Sequence, residues 1–281
     1  MPRLLVHEWV FGSYMALMAL RLGLHQGILG PDTAAYVVGL TIAVGLTYWN
    51  CRSRTAASWR WRLGFYAVAM NVYFQQMRTA VPAIEPEKYD GALRAIDRLL
   101  LPDTPSVWLQ AWSHPVATEA LSFCYMLFMP YLAFSILYYL IGDLARLKAF
   151  CAGLFSLYGI GFIGYSLVPA AGPYLAFPEA FSAPQAGWLF TDWNATMVRL
   201  GSSGVDVFPS LHVGISAFLL GFDYRHKPWR FRAYLLPALG MWVATMYLHY
   251  HYLIDVLCGL PLAILALWIA RRQFAAEGAC P

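Results

Sequence analysis

The chain has 281 residues, 60% of them hydrophobic and 12% charged, with a formal net charge of +4. A soluble protein of this length carries about twice that share of charge, so a soluble globular domain is excluded. Apolar runs recur along nearly the whole sequence, as an integral membrane protein requires.

Taken in chain order, the apolar runs predict an all-α, polytopic membrane helix bundle of about eight spans. They lie near residues 9–28, 34–50, 62–80, 119–141, 149–168, 211–224, 233–249 and 252–270. Each is roughly long enough to cross the ~30 Å hydrocarbon core, although 211–224 is short unless the loop before it is buried. Arg21 falls inside the first span, where it either snorkels outward or marks a segment lying in the interface. There is no internal repeat and no separate soluble domain, so residues 1–281 read as one membrane domain. The cysteines (Cys51, Cys124, Cys151, Cys258, Cys280) are scattered without a CxxC pair, which argues against a disulfide framework and a cysteine metal site. No cleavage site follows a short apolar core, so no signal peptide is expected.

The loops set the expected topology. Arg3, Arg52, Arg54, Arg60, Arg62, Arg146, Lys148, Arg225, Lys227, Arg230, Arg232, Arg271 and Arg272 all fall on one side of an eight-span arrangement. The positive-inside rule makes that side cytoplasmic, with both termini there. The opposite loops carry Asp32, Glu85, Glu87, Asp90, Asp97, Asp103, Glu119, Glu179, Asp192 and Asp206. Within 81–118, Tyr89, Ala92, Leu93, Ile96, Leu99 and Leu100 recur at helical spacing opposite Asp90, Arg94, Asp97 and Arg98. This predicts an amphipathic helix, resting on the membrane or packed on the bundle. Residues 169–210, rich in Gly, Pro, Ser and Ala, are expected to be loop.

The chemistry-bearing residues sit at the outer ends of two late spans. His212 ends Phe208-Pro209-Ser210-Leu211-His212, and His251 opens His251-Tyr252-Leu253-Ile254-Asp255. On a helix, His251 and Asp255 at i and i+4 share one face, so the carboxylate can orient the imidazole. Two helix N-termini would converge there with amides facing an anion, and Ser210 would cap or bind phosphate oxygen. The expected roles are His251 as nucleophile on phosphorus, Asp255 as its partner and His212 as acid to the leaving oxygen. The bland reading is that interfacial histidines merely reach water; the shared depth of the three groups favours function. His249 points to another face, so a zinc site of His249, His251 and Asp255 fits poorly. Tyr247, Tyr250 and Tyr252 read as an interfacial aromatic belt, with Tyr252 also a substrate-binding candidate.

The Phe208–His212 motif, with Thr245-Met246-Tyr247-Leu248 and His251 to Val256, resembles the type 2 phosphatidic acid phosphatase superfamily. PSLH in the second motif, HY–two residues–D in the third, and Tyr165-Ser166-Leu167-Val168-Pro169-Ala170-Ala171-Gly172-Pro173-Tyr174 look like its inositol phosphorylceramide synthase branch. The resemblance covers roughly 120–270, which would be the catalytic core. It implies a six-helix phosphatase-like core, a phosphohistidine mechanism and no cofactor or metal. Two features of hydrolytic members are missing: a Lys–six residues–Arg-Pro motif, and an arginine at the position held here by Thr245. Phosphate charge must then be met otherwise, with Arg78, Arg199, Lys88 and Arg94 the basic residues near the outer face.

The expected function is therefore a membrane lipid phosphotransferase at the extracytoplasmic face, moving a phosphate-linked head group between lipids. A lipid phosphate phosphatase acting on a phospholipid or polyprenyl (di)phosphate is the alternative. A proton-coupled transporter or flippase using the same residues as a relay is the second, though no repeat symmetry supports it. The expected partners are membrane lipid substrates, not nucleic acid.

Overall fold

A computed structural model describes residues 4–278; Arg3 among the basic residues and Cys280 among the cysteines lie outside them. The helices in order are α1 (Val6–Gln26), α2 (Pro31–Ser53), α3 (Ala56–Ile84), α4 (Asp90–Leu100), α5 (Pro105–Leu109), α6 (Pro115–Met126), α7 (Phe128–Ile141), α8 (Leu144–Leu167), α9 (Pro173–Ala176), α10 (Leu189–Gly201), α11 (Leu211–His226), α12 (Pro228–Tyr247) and α13 (Leu253–Ala276). Among the described residues the only bridge pairing is the isolated Ala170–Asp206 contact.

Among the described residues four helical stretches are long and apolar enough to cross a membrane: Pro31–Ser53, Pro115–Ile141, Leu144–Leu167 and Leu253–Ala276. Helices α1, α3, α11 and α12 occupy the positions of the other four predicted spans. The predicted span over 119–141 is interrupted at Leu127. Pro130 has no amide to give the Met126 carbonyl, which weakens the helix at that point. Helix α8 forms the centre, with one side against α1 and the other against α13. Its Gly159 lets the two backbones close up, since a Cβ there would stand 3.1 Å from Phe11 backbone atoms.

The basic loops gather at one end of the bundle. The Arg62 guanidinium pairs with Glu8 in full burial and donates to Asn50 Oδ1 at 3.0 Å. Lys148 pairs with Glu277 at 2.7 Å, and both Arg62 and Lys148 lie over the Trp59 ring. Arg60 caps α7 through the Leu140 and Gly142 carbonyls. His226 packs on Phe274, bringing the 225–232 loop to the same end. Both ends of the described chain therefore share one end of the bundle. Arg21 lies at the other, donating to the Ser166 carbonyl at 2.9 Å and 3.8 Å from Glu85.

Two expectations for the outer loops are corrected. Helix α4 has the predicted amphipathic pattern, but its acidic residues face inward. Asp90, Leu93 and Asp97 are buried, while Ile96, Leu99 and Leu100 stay exposed. Buried backbone amides on neighbouring segments draw the carboxylates in, because unpaired amides there are costly. The 169–210 stretch is not all loop, because it contains α10. The carboxylate of Glu119 supplies that helix's start, accepting from the Trp188, Phe190 and Thr191 amides. Leu189, Trp193, Met197 and Leu200 lie exposed along α10.

Candidate active site

The site lies where α11 and α13 begin, at the end opposite the basic loops. Ser210 caps α11, its buried Oγ accepting the Val213 amide at 3.4 Å, while its own amide donates to the Asp255 carbonyl at 3.0 Å. That bond ties the two histidine motifs together. The helices also approach closely at Gly259, where a Cβ would meet the Ser210 carbonyl at 2.6 Å. The outcome is a His212–His251 ring separation of 5.6 Å with the planes at 69°.

His251 stands before α13 rather than on it. Its amide donates to the Thr245 carbonyl at 2.9 Å, and its carbonyl accepts from Ser106 Oγ at 3.0 Å. The expected contact with Asp255 is present, Nδ1 to Oδ2 at 3.4 Å, but a helical face does not make it. Asp255 folds back to accept the Tyr252 amide at 2.9 Å, a capping arrangement that carries its carboxylate to the residue before the helix. The other oxygen, Oδ1, is buried without a partner among the described residues. The Val207 carbonyl faces the same imidazole. Burial lowers the His251 imidazole to about 4, so the ring is a free base at neutral pH.

His212 bonds through Nε2 to the Tyr125 hydroxyl at 3.1 Å and packs between the Tyr125 and Phe128 rings. Its Nδ1 is buried and has no partner among the described residues. Asp206 is the carboxylate electrostatically coupled to both imidazoles. Its Oδ1 is held by Ser202 Oγ at 2.7 Å and the Gly204 amide at 3.0 Å. Tyr174, Tyr250 and Tyr125 continue the wall as a chain of ring contacts, with Asn194 of α10 donating to the Tyr250 hydroxyl.

At one of the two helix N-termini, that of α13, the amides expected to face phosphate are engaged within the protein. At α13 the Leu253 and Ile254 amides donate to Asp97 at 2.8 and 2.9 Å, and the Tyr252 amide is held by Asp255. At α11 Ser210 takes the Val213 amide and the Leu211 amide lies toward the Tyr165 hydroxyl, so the His212 amide is the one left to face an anion.

The remaining predicted residues are placed as follows. Arg78 donates to the Leu200 and Ser202 carbonyls, fastening the C-terminus of α10. Arg199 and Lys88 are exposed. Arg94 makes a two-pronged ion pair with Asp103 and lies over Phe177. Tyr252 is fully buried, and its hydroxyl donates to Asp90 at 2.9 Å. His249 stacks on Phe181 and bonds Gln185 at 2.8 Å. Among the described residues no group of three or more His, Cys, Asp or Glu side chains is placed to hold a metal ion. At the departure point, the Thr245 hydroxyl donates to the Trp242 carbonyl, so it brings neither charge nor a free donor.

Sequence reasoning missed Tyr125, Asp206 and the pair Asp90–Asp97. Tyr125 lies in an apolar run with no local signal. The acidic pair did carry one: seven residues apart, two carboxylates share a helix face, as groups holding two points of one neighbour would. Asp90 accepts from the Ala171 and Gly172 amides, so α4 grips both the 171–172 turn and the start of α13.

A membrane-type helix bundle with two imidazoles and a carboxylate assembled at one end is the class these features define. The PAP2 superfamily family model matches residues 91–269, more than half of the chain, and the protein belongs to that superfamily. Its members are typically phosphatases or phosphotransferases, so an enzyme of phosphoester chemistry is a plausible assignment. No curated protein and no solved structure matches the chain.

Proposed function

We propose that this protein is a lipid head-group phosphotransferase of the inositol phosphorylceramide synthase type, working at the extracytoplasmic face with both termini cytoplasmic. The observation that supports transfer over phosphate release is the charge around the histidine pair. The charged neighbour of both rings is Asp206; Arg78, Arg94 and Arg98 are engaged elsewhere, and Arg199 and Lys88 are exposed and do not act on either ring. A phosphomonoester dianion would meet that carboxylate with little compensation, whereas a phosphodiester carries one charge, within reach of hydroxyl donors. Head-group lipids are phosphodiesters. The burial of His251 also keeps water from the phosphorus, which favours an alcohol as acceptor.

In the scheme, Nδ1 of His251 faces Asp255 and leaves Nε2 to attack. An N–P bond forms as the bond from phosphorus to the glyceride oxygen breaks. His212 first takes up a proton from the medium, and that proton goes to the departing oxygen from its Nδ1 while Tyr125 holds Nε2–H. The acceptor hydroxyl then attacks phosphorus, the N–P bond breaks, and the hydroxyl proton returns to His212. Asp255 stabilises the charge on the His251 ring throughout.

The deciding experiment uses purified protein in mixed micelles with a chelator present. A labelled phosphodiester lipid is supplied with a hydroxyl lipid, and head-group exchange is followed beside phosphate release from a phosphomonoester lipid. Exchange without phosphate release is expected. Phosphate release as the dominant activity would make the protein a phosphatase, and loss of activity to the chelator would end the metal-free scheme.

A further inference from the structure

Helix α10 presents three faces. At about 3.6 residues per turn, Thr191, Asn194 and Val198 share one, Asp192, Ala195 and Arg199 a second, and Leu189, Trp193, Met197 and Leu200 a third. The first is turned to the protein: Thr191 and Asn194 are buried, and Asn194 donates to the Tyr250 hydroxyl at 3.1 Å. The second carries the exposed charges of Asp192 and Arg199. On the third, all four apolar side chains are more than half exposed, and so is Trp188 just before the helix.

The helix lies along the flank of the bundle, not above it. Glu119 and Phe123, which hold its start, stand one and two turns, about 6 and 12 Å, in from the outer end of α6. Arg78, which holds its end through the Leu200 and Ser202 carbonyls, stands nearly two turns in from the outer end of α3. Helix α10 therefore crosses from α6 to α3 at nearly one depth. Helix α6 opens the apolar stretch Pro115–Ile141, and its Val116 and Phe123 begin an exposed apolar surface that Met129, Phe134 and Leu137 continue along α7. At Phe123 that surface adjoins α10, where the Phe190 ring packs 4.8 Å away.

We propose that α10 lies in the membrane leaflet on the histidine side, with its Leu189–Trp193–Met197–Leu200 face among acyl chains and Asp192 and Arg199 toward water. This follows from the membrane-bundle fold and does not depend on the phosphotransfer scheme. Scattered apolar groups on a surface need no partner, but four in register beside a lipid-facing span do. An amphipathic helix of this pattern settles about 5–10 Å into the boundary between head groups and chains, with tryptophan at the head-group level. The consequence for the site is height. Asn194 holds Tyr250, whose ring stands 5.1 Å from that of Tyr125, the partner of His212. A leaflet that seats α10 thereby fixes the histidine pair relative to the lipid phosphates, and lifting the helix out withdraws Asn194 from Tyr250.

The test places a nitroxide on Met197→Cys and, separately, on Asp192→Cys in the full-length protein in phosphatidylcholine nanodiscs. Identically treated wild-type protein supplies the background of the native cysteines. Collisions with oxygen and with a water-soluble nickel chelate are compared. Met197→Cys should be open to oxygen and closed to nickel, while Asp192→Cys should be open to nickel. In parallel, Trp193→Glu and Met197→Glu are made separately, so that one remains should the other not fold. Each is assayed for head-group exchange on a long-chain donor in the bilayer and a short-chain donor in micelles, relative to wild type in the same medium. The relative activity in the bilayer should be at least tenfold below that in micelles. Nickel access at Met197→Cys, closure to both probes as a second copy of the chain would give, or equal relative activities in a folded variant overturns the proposal. If wild type turns over no donor, the phosphotransfer reading alone fails, and the collision data still decide where α10 lies.

Discussion

Asp97→Ala tests the capping network most sharply, because Asp97 touches neither histidine. Its carboxylate is fully buried and accepts from the Leu253 amide at 2.8 Å, the Ile254 amide at 2.9 Å and Thr104 Oγ1 at 2.6 Å. Removing a helix cap costs about 0.5–2 kcal/mol, and stranding a buried donor about 1–3 kcal/mol. Some of those donors regain partners by relaxation, so a loss of about 2–4 kcal/mol is expected, and about half that for Asp97→Asn, which keeps one acceptor oxygen. Catalysis falls as well. His251 sits two residues before the capped turn, and a displacement of about 1 Å can cost on the order of 10²-fold in rate. The assay pairs equilibrium unfolding in mixed micelles with head-group exchange. The drop should fall on kcat with KM nearly unchanged, because Asp97 meets no substrate. A stability change below about 0.5 kcal/mol would refute the capping argument. Higher affinity of Asp97→Ala for inorganic phosphate, with activity intact, would show that the α13 amides serve the anion.

His251→Ala should be inactive on every donor, while His212→Ala should keep appreciable activity on an activated donor with a nitrophenolate leaving group, which needs little protonation. Leaving-group protonation is worth about 10²–10⁴-fold on a lipid alkoxide. Asp255→Asn should fall between them, and rescue of His251→Ala with His212→Ala dead would exchange the two roles. Single-cysteine labelling from outside should reach 81–118 and 169–205 but not 225–232; labelling at 225–232 would turn the enzyme over and put the site in the cytoplasm. Burial lowers His249 to about 4 from an ordinary 6.5. A histidine with a lowered folded value adds stability above about pH 6.5 that fades as the pH falls toward 4, so His249→Gln should make stability fall less steeply in that window, the share due to His251 remaining. An unchanged pH profile in the variant would show that His249 does not titrate on unfolding.

Much of the architecture was legible along the chain because a bilayer imposes one-dimensional rules. Backbone groups in hydrocarbon must be satisfied within the segment, so each apolar run of sufficient length announces a helix. Among the described residues helices stand where the runs predicted, four of them long and apolar enough to cross a membrane, and the basic loops gather at one end of the bundle. His212, His251 and Asp255 were legible for a related reason: polar groups at the ends of apolar helices are conspicuous against their surroundings. Even there, the right contact was reached through the wrong geometry. His251 and Asp255 meet through a helix cap and not along a helix face.

Sequence by itself determined the material of this protein: membrane helices, charge at one end, and a histidine pair with its carboxylate near the other. Only the tertiary structure decided what each outer-loop residue does. Asp90 and Asp97 turned from a solvent face into clamps on the 171–172 turn and on α13, because buried amides there had to find acceptors. Arg78 went to the end of α10, and Tyr125 came from an apolar run to the ring of His212. Each of these choices joins groups far apart in the chain. Their partners are set by which helices pack together, and no periodicity or local motif encodes that.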